Sequence, residues 1–282
     1  MIIESHAHYS HKLYNGEFPY VCYKDGSFDV SVGDFSLFIE ELKQNNISFC
    51  IEPSTSFENI DAQLALVRKY PDYIKLSLGV HPGKCTDTAW KNRKKLSEYV
   101  RENDVIAIGE AGLDYHNELS VYSVFLQKMW FKYQIRLADE YNLPLILHIR
   151  MADEDGLKIL TRYRKKLHGG VAHCFVGDFD TAMKYIELGF CLGIGGKLFI
   201  NEVLQDTVKR VPLESILVET DAPYIIPEIQ TCSLSNKKKK KARNSSLILQ
   251  AVIDKIALLR DDHPEHVEKV VYENTLRVFS SK

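Results

Sequence analysis

Short apolar runs rich in β-branched residues recur along the chain, and longer amphipathic segments separate them. Such runs predict buried strands, which we place at Ile2–His6, Ser48–Glu52, Ile74–Gly79, Val105–Gly109, Pro144–His148, Gly170–His173, Phe190–Ile194 and Ser215–Glu219. Apolar residues at helical spacing predict helices between and after the strands, at Asp34–Asn45, Ile60–Tyr70, Tyr122–Tyr141, Asp178–Leu188, Asn201–Val211, Leu247–Leu259 and His266–Phe279.

Eight strands that alternate with helices predict a (β/α)8 barrel. The length of 282 residues suits one such domain over 1–282, and no internal repeat or linker divides the sequence. A doubly wound open sheet is the main alternative, but it usually contains fewer strands. Its Gly-rich phosphate loop is also absent after the first predicted strand. The pattern therefore favours the barrel.

Residues 9–33 interrupt the alternation, and they predict an extended loop between the first strand and the first helix. The loop contains aromatic side chains at Tyr14, Phe18, Tyr20, Tyr23 and Phe28. These rings either stack unpaired bases of a nucleic acid or form a hydrophobic lid over the barrel. We favour the lid.

A basic run lies in the loop after the eighth predicted strand. It consists of Lys237, Lys238, Lys239, Lys240 and Lys241. Such a run is usually a solvated loop. Its place after a strand end favours contacts with the phosphate groups of a substrate.

The formal net charge of −2 excludes a general attraction to polyanions, so nucleic-acid binding needs a local basic patch. The six cysteines are scattered without a Cys-x-x-Cys pair, which favours free thiols in a reducing cytoplasm. We find no leader pattern and no apolar run long enough to span a membrane. We therefore expect a cytoplasmic protein without membrane association, and no obligate protein partner is indicated.

Imidazole and carboxylate groups follow the predicted strands. Barrel enzymes keep their chemistry at the carboxyl ends of the strands, where this chain places His6, His8, Glu110, His148, His173 and Asp221. His6 and His8 are two positions apart, so on a strand they point to the same side. His11 breaks this alternation and is left outside the candidate site.

Each of these residues alone has an ordinary structural explanation: a hydrogen-bonded packing histidine, a helix cap or a turn. Six such groups at the ends of five strands are improbable as accidents. They exceed the needs of one tetrahedral ion. They match two divalent ions held close together, with one carboxylate bridging them.

The sequence also resembles the TatD family of metal-dependent deoxyribonucleases, within the amidohydrolase-like barrels. The matching stretches are SHAH, GVHPG, GEAGLDYH, LPLILHIR, AHCFVGD and ETDAPY, between residues 5 and 224. The resemblance implies a (β/α)8 fold and a divalent-metal hydrolase that acts on DNA, commonly by trimming the 3′ end. It implies metal ligation by the six residues above, with Glu110 as the bridge.

Glu110 and Asp221 are the candidate catalytic residues. A divalent ion lowers the pKa of a water molecule that it binds, which supplies a nucleophile near neutral pH. Asp221 can then accept or orient the proton. The mixed donor set admits Mg²⁺, Mn²⁺, Zn²⁺ or Fe²⁺. No Ser-His-Asp arrangement or activated cysteine suggests covalent catalysis.

Two further residues are candidates for contact with substrate. His81 in GVHPG matches a family histidine that we expect to face substrate, although it can equally be a turn residue. Arg150 alternates to the same side as His148 and can bind a phosphate oxygen or form a salt bridge. Asp114 is given no chemical role.

The sequence departs from the family pattern at two places. Glu4-Ser5 stands where Asp-Thr is usual, and Ser245-Ser246 follows Asn244 where Glu-Pro is usual. The loop after His8 is also longer than typical. We expect none of these departures to touch a predicted ligand, but they leave substrate preference open.

Three classes of function are therefore compatible with the sequence. The first is a two-metal nuclease acting on single-stranded or fraying DNA. The second is a metallohydrolase of small esters, lactones or amides, or of RNA-linked esters. The third is a nucleic-acid binder without turnover. The basic run favours the first, and the intact set of candidate ligands argues against the third.

Overall fold

A computed structural model describes residues 1–117, 119–227 and 241–280. Eight parallel strands form one sheet, and their hydrogen-bonded order follows their order along the chain. They are β1 Ile2–Glu4, β4 Ile47–Pro53, β5 Ile74–Leu78, β6 Val105–Asp114, β7 Leu145–Arg150, β8 Gly170–Ala172, β9 Phe190–Ile194 and β10 Ile216–Val218. With helices alternating between them, they form the (β/α)8 barrel that the sequence predicts.

The helices follow the amphipathic segments. They are α1 Phe35–Gln44, α2 Phe57–Lys69, α3 Arg93–Glu102, α4 Val121–Tyr141, α5 Asp153–Arg162, α6 Phe179–Glu187, α7 Glu202–Arg210, α8 Leu249–Arg260 and α9 Pro264–Phe279. Side chains fix several of the starts: Asp34 accepts hydrogen bonds from Ser36 N and Leu37 N at the beginning of α1. In the described part of the chain, no helix has the length and apolarity needed to cross a bilayer.

Helices α3 and α5 were not predicted from the sequence. The highly charged helix α3 buries only Leu96 and Val100, and so its apolar stripe is narrow. Helix α5 contains Gly156, which weakens a helical pattern. A Cβ at this position would lie 3.0 Å from Ile149 Cδ1. The glycine therefore lets α5 pack closely against β7.

Two predicted strand ends that concern candidate ligands are wrong. Strand β1 ends at Glu4, so His6 and His8 lie beyond it. Strand β6 continues to Asp114, which places Glu110 inside the strand. The extension pairs with β7, where Gly112 is opposite His148. The predicted strand ended at Gly109, and glycine inside a strand usually weakens it.

The segment predicted as an extended loop contains a β-hairpin. Strands β2 Phe18–Lys24 and β3 Ser27–Gly33 pair in an antiparallel register with Lys24 opposite Ser27. Both turn residues have positive φ, 50° at Asp25 and 77° at Gly26. Asp-Gly is a strong signal for such a two-residue turn, and the sequence analysis overlooked it.

The backbone contacts divide the chain into two compact units. The first comprises Met1–Ile51, Cys174–Phe179 and Gly193–Thr275. Its hairpin packs on α1, since the rings of Tyr14, Phe18 and Tyr20 lie 4.8–6.0 Å from that of Phe38. These three tyrosine and phenylalanine side chains are buried. Burial rules out base stacking for them.

The second unit comprises Glu52–His173, Asp180–Leu192 and Leu276–Lys282. Helix α4 contributes its core residues Trp130, Phe131 and Ile135, which are fully buried. Gln127 on the same helix accepts a hydrogen bond from Asp114 N at 2.8 Å and donates one to Asp114 O at 3.1 Å. The helix thereby fixes the end of β6.

That 1–282 acts as one domain stays a prediction.

Candidate metal centre

The first unit brings three predicted ligands together. Nε2 of His6 lies 3.3 Å from Nε2 of His8, and Asp221 Oδ1 lies 3.7 Å from the former and 3.5 Å from the latter. Backbone hydrogen bonds hold the two segments in place. Asp221 N donates to His6 O at 2.9 Å, and His8 N donates to Ala222 O at 2.7 Å. The sequence predicted that His6 and His8 share a side, and their ring nitrogens do converge.

The second unit brings the other three together. Nδ1 of His148 and Nε2 of His173 each lie 3.1 Å from Glu110 Oε2, and they are 2.9 Å from each other. Glu110 and His173 are buried. His173 follows β8 directly, and its backbone N donates to Leu147 O on β7.

Both groups fit a divalent cation. An ion that holds nitrogen and oxygen donors at about 2.0–2.2 Å leaves neighbouring donor atoms about 3–3.5 Å apart. The donor atoms of each group lie near this separation. Neutral imidazole and carboxylate are also the ligand types that Zn²⁺ and Mn²⁺ accept. The donor sets therefore match the metals that the sequence predicts.

Asp114, which received no role from the sequence, contacts a candidate ligand. Its Oδ2 lies 3.3 Å from His148 Nε2, which leaves Nδ1 of that ring directed at Glu110 and His173. A carboxylate behind a ligating histidine fixes the ring and raises its basicity. The sequence spacing could have indicated this contact. Asp114 is four positions after Glu110, so both side chains point to the same side of an extended β6.

Electrostatics support this arrangement. Burial of His148 opposes protonation, but hydrogen bonds to Asp114 and Glu110 outweigh it and raise the pKa of the imidazole. Burial of Asp114 favours its neutral form, but hydrogen bonds from His148 and from the His116 backbone lower its pKa to about 2. Asp114 is therefore a carboxylate at neutral pH and accepts the proton on His148 Nε2.

His81 lies beside the second group. Its Nε2 is 4.0 Å from Glu110 Oε2, and its ring centroid is 4.2 Å from that of His148. Burial lowers the pKa of His81 to about 4, so the ring is neutral at physiological pH. Its Nδ1 accepts a hydrogen bond from Gly83 N at 3.0 Å. The proton of the neutral ring is therefore on Nε2, which can donate to a ligand oxygen.

The remaining predicted contacts are less constrained. Arg150 is exposed at the end of β7, opposite Asp114 in the strand register. Lys241 is exposed, and its carbonyl oxygen accepts a hydrogen bond from the Arg243 guanidinium. Lys237, Lys238, Lys239 and Lys240 lie outside the described residues.

One expectation was wrong. Glu4 touches a predicted ligand, because its Oε1 accepts a hydrogen bond of 3.1 Å from His6 N. The sequence analysis had taken the change from Asp to Glu at this position as remote from the ligands. The side chain of Glu4 is longer than that of Asp and is fully buried. It reaches the backbone N–H of His6, two residues further along the chain.

A parallel (β/α)8 barrel with imidazole and carboxylate groups at the carboxyl ends of its strands is typical of the metal-dependent hydrolases. Comparison with known proteins gives the family. The family model for TatD related DNase matches residues 3–280. The chain therefore belongs to the TatD family and is a metal-dependent hydrolase.

Individual relatives agree with this assignment. The uncharacterized metal-dependent hydrolase YabD of Bacillus subtilis is 28% identical over 281 residues, with 99% of each chain covered. The 3′-5′ ssDNA/RNA exonuclease TatD of Yersinia pseudotuberculosis is 29% identical over 249 residues, which are 87% of this chain and 93% of that protein. The crystal structure of YJJV, a TatD homologue from Escherichia coli, superposes with a TM-score of 0.80 at 24% identity, covering 100% and 98% of the two chains.

Proposed function

We propose that this hydrolase is an exonuclease that removes nucleotides from the 3′ end of single-stranded DNA, in the cytoplasm. The observation that carries the proposal is the pair of ligand groups, each with donor atoms 2.9–3.7 Å apart. Relatives that are named 3′-5′ ssDNA/RNA exonucleases support the substrate and the polarity. The scattered free cysteines support a reducing compartment.

The proposed metal centre contains two divalent ions. Their ligands are the six predicted residues: His6, His8, Glu110, His148, His173 and Asp221. Bound ions of this kind supply an activated water molecule and neutralise charge on the phosphoryl oxygens. The bridging role of Glu110 follows from the family resemblance and stays a prediction.

The protein's own residues hold the reactants and move the proton. Asp221 is half-buried and carries one carboxylate oxygen toward His6 and His8, so its other oxygen can accept a proton from the attacking water. His81 donates from Nε2 to a substrate oxygen, because its pKa keeps the ring neutral. Arg150 is exposed and free to pair with a phosphate through two N–H groups.

The basic run supplies the remaining attraction. The net charge of −2 gives no general pull on DNA, so a local cluster of positive charge has to provide it. We assign this part to Lys237, Lys238, Lys239, Lys240 and Lys241. Binding should therefore weaken as salt rises, with a slope that reports the number of phosphate contacts.

The test uses single-stranded oligonucleotides labelled at the 5′ or the 3′ end, with Mg²⁺, Mn²⁺ or Zn²⁺ and with or without chelator. We expect chelator-sensitive shortening, with a ladder from the 5′-labelled strand and mononucleotide release from the 3′-labelled strand. His6→Ala and Glu110→Gln should each lower the rate at least about 100-fold, because the first removes a proposed ligand and the second removes the charge of another.

The matched control is His263→Ala, which removes an exposed histidine outside both ligand groups and should leave the rate unchanged. Hydrolysis of small esters without any cleavage of DNA would contradict the nuclease proposal and support a metallohydrolase of small esters instead. DNA binding without products would leave only the third class of function.

A further inference from the structure

The two departures from the family pattern are in direct contact. Glu4 stands where Asp is usual, and Ser246 stands where Pro is usual. Ser246 Oγ donates a hydrogen bond of 2.7 Å to Glu4 Oε2, across 242 positions of sequence. Both residues are completely buried. The two changes therefore belong to one hydrogen-bonded group.

The rest of the Glu4 carboxyl group joins the two segments that carry His6 and Asp221. Oε1 accepts from His6 N at 3.1 Å and from Thr220 N at 2.9 Å. Oε2 also accepts from Thr220 Oγ1 at 2.7 Å. Thr220 directly precedes Asp221. One buried carboxyl group is thus hydrogen-bonded to both backbone segments that carry the proposed ligands His6 and Asp221.

Ser246 extends this network to the residue after His8. Tyr9 OH lies 2.6 Å from Ser246 Oγ and accepts a hydrogen bond of 2.9 Å from Ser246 N. Tyr9, Ser246 and Glu4 therefore form one continuous chain of hydrogen bonds.

Both members of the pair are needed for this geometry. An Asp at position 4 is one methylene shorter and cannot reach all of these partners from the same backbone. A Pro at position 246 has neither a hydroxyl nor an N–H, so it can make neither contact. Loss of either member leaves buried polar groups unsatisfied, which is costly.

We propose that Glu4 and Ser246 are paired positioning residues that set the spacing of the His6 and Asp221 ligand atoms, and thereby the metal affinity. The inference rests on the ligand roles proposed above. The two side chains are hydrogen-bonded to each other and belong to one network. Removing both should therefore cost little more than removing one.

The experiment measures the Kd for Mn²⁺ from the free Mn²⁺ signal in electron paramagnetic resonance. The variants are Glu4→Gln, Glu4→Asp, Ser246→Ala and the double variant Glu4→Gln/Ser246→Ala. We expect each single change to raise the Kd of the weakened site about tenfold, as loss of a group behind a metal ligand commonly does. The double variant should not exceed the larger single effect by more than about twofold.

Thr275→Val is the control for the loss of a buried hydroxyl. Thr275 Oγ1 donates to Val271 O within α9 and contacts no proposed ligand. This variant should lower the melting temperature without changing the Kd. If Glu4→Gln does not fold, Ser246→Ala and Glu4→Asp give the same comparison.

Two results would overturn the inference: an unchanged Kd in folded Ser246→Ala, or single effects that multiply in the double variant. Failure of the proposed ligand roles is recognised separately. In that case His6→Ala and Asp221→Ala bind as many Mn²⁺ ions as the unaltered protein. If those two variants lose an ion while Glu4 and Ser246 have no effect, only the positioning role fails.

Discussion

At the scale of single residues, the two nitrogens of His148 have different partners. Nε2 faces Asp114, and Nδ1 faces Glu110 and His173. An imidazole that gives one proton to a carboxylate presents a lone pair on its other nitrogen. Asp114 therefore decides which atom of His148 is available to a metal ion.

We expect Asp114→Asn to weaken metal binding and to lower kcat about 10–100-fold, because the amide does not hold the ring or its tautomer as a carboxylate does. Calorimetric titration with Mn²⁺ and the rate at saturating metal measure the two effects.

A second Asp–His pair provides the control. Asp139 Oδ1 lies 3.4 Å from His168 Nε2, and neither residue belongs to the ligand groups. Asp139→Asn should leave metal binding and turnover unchanged. Equal effects of the two substitutions would contradict a specific role for Asp114.

At the scale of elements, the hairpin β2–β3 depends on its two-residue turn. Gly26 has a φ of 77°, and nothing lies within 4 Å of a Cβ added there. Only the backbone conformation therefore opposes a side chain at this position.

We expect Gly26→Ala to lower the free energy of unfolding by about 1 kcal/mol, the usual cost of a left-handed conformation for alanine. Urea denaturation followed by circular dichroism measures the change. Glu17→Ala, at an exposed position just before β2, is the control and should change stability by less than about 0.5 kcal/mol. Equal stability of Gly26→Ala and the unaltered protein would show that the turn is not maintained in solution.

The elements also show where periodicity succeeds and where it fails. Helix α4, Val121–Tyr141, was predicted within one residue at its start, because its long apolar stripe is unambiguous. Strand β6 was stopped five residues early, since Gly109 and Gly112 interrupt the apolar run. Their small size matters only in the sheet, where a Cβ at Gly112 would lie 2.0 Å from His148 O on the neighbouring strand.

At the scale of the whole molecule, metal binding and folding are linked. An ion that binds the folded chain and not the unfolded chain stabilises by about 2.7 kcal/mol at a concentration 100 times its Kd.

We therefore expect saturating Mn²⁺ to raise the melting temperature by about 5 °C. Differential scanning calorimetry with and without chelator gives the shift. His6→Ala should reduce it, whereas His263→Ala should retain it. A shift that is the same in His6→Ala and the unaltered protein would mean that His6 is not a ligand.

By itself, the sequence determined the parallel barrel, the metal-dependent class and the identity of six candidate ligands. These follow from local rules, because strand and helix periods and the place of polar residues after apolar runs can be read within a few positions. The family motifs added the hydrolase class. That His6 and His8 converge was also predicted, but from strand alternation, and β1 ends at Glu4. Backbone hydrogen bonds to Asp221 and Ala222 hold these two histidines instead.

Only the tertiary structure decided which groups support the ligands. Glu4 meets Ser246 across 242 positions, and Asp114 meets His148 across 34. Such contacts depend on strand register and on where each chain segment ends, and no local pattern specifies either. A hydrogen bond also needs its atoms within a few tenths of an ångström, a precision that spacing along a sequence cannot provide.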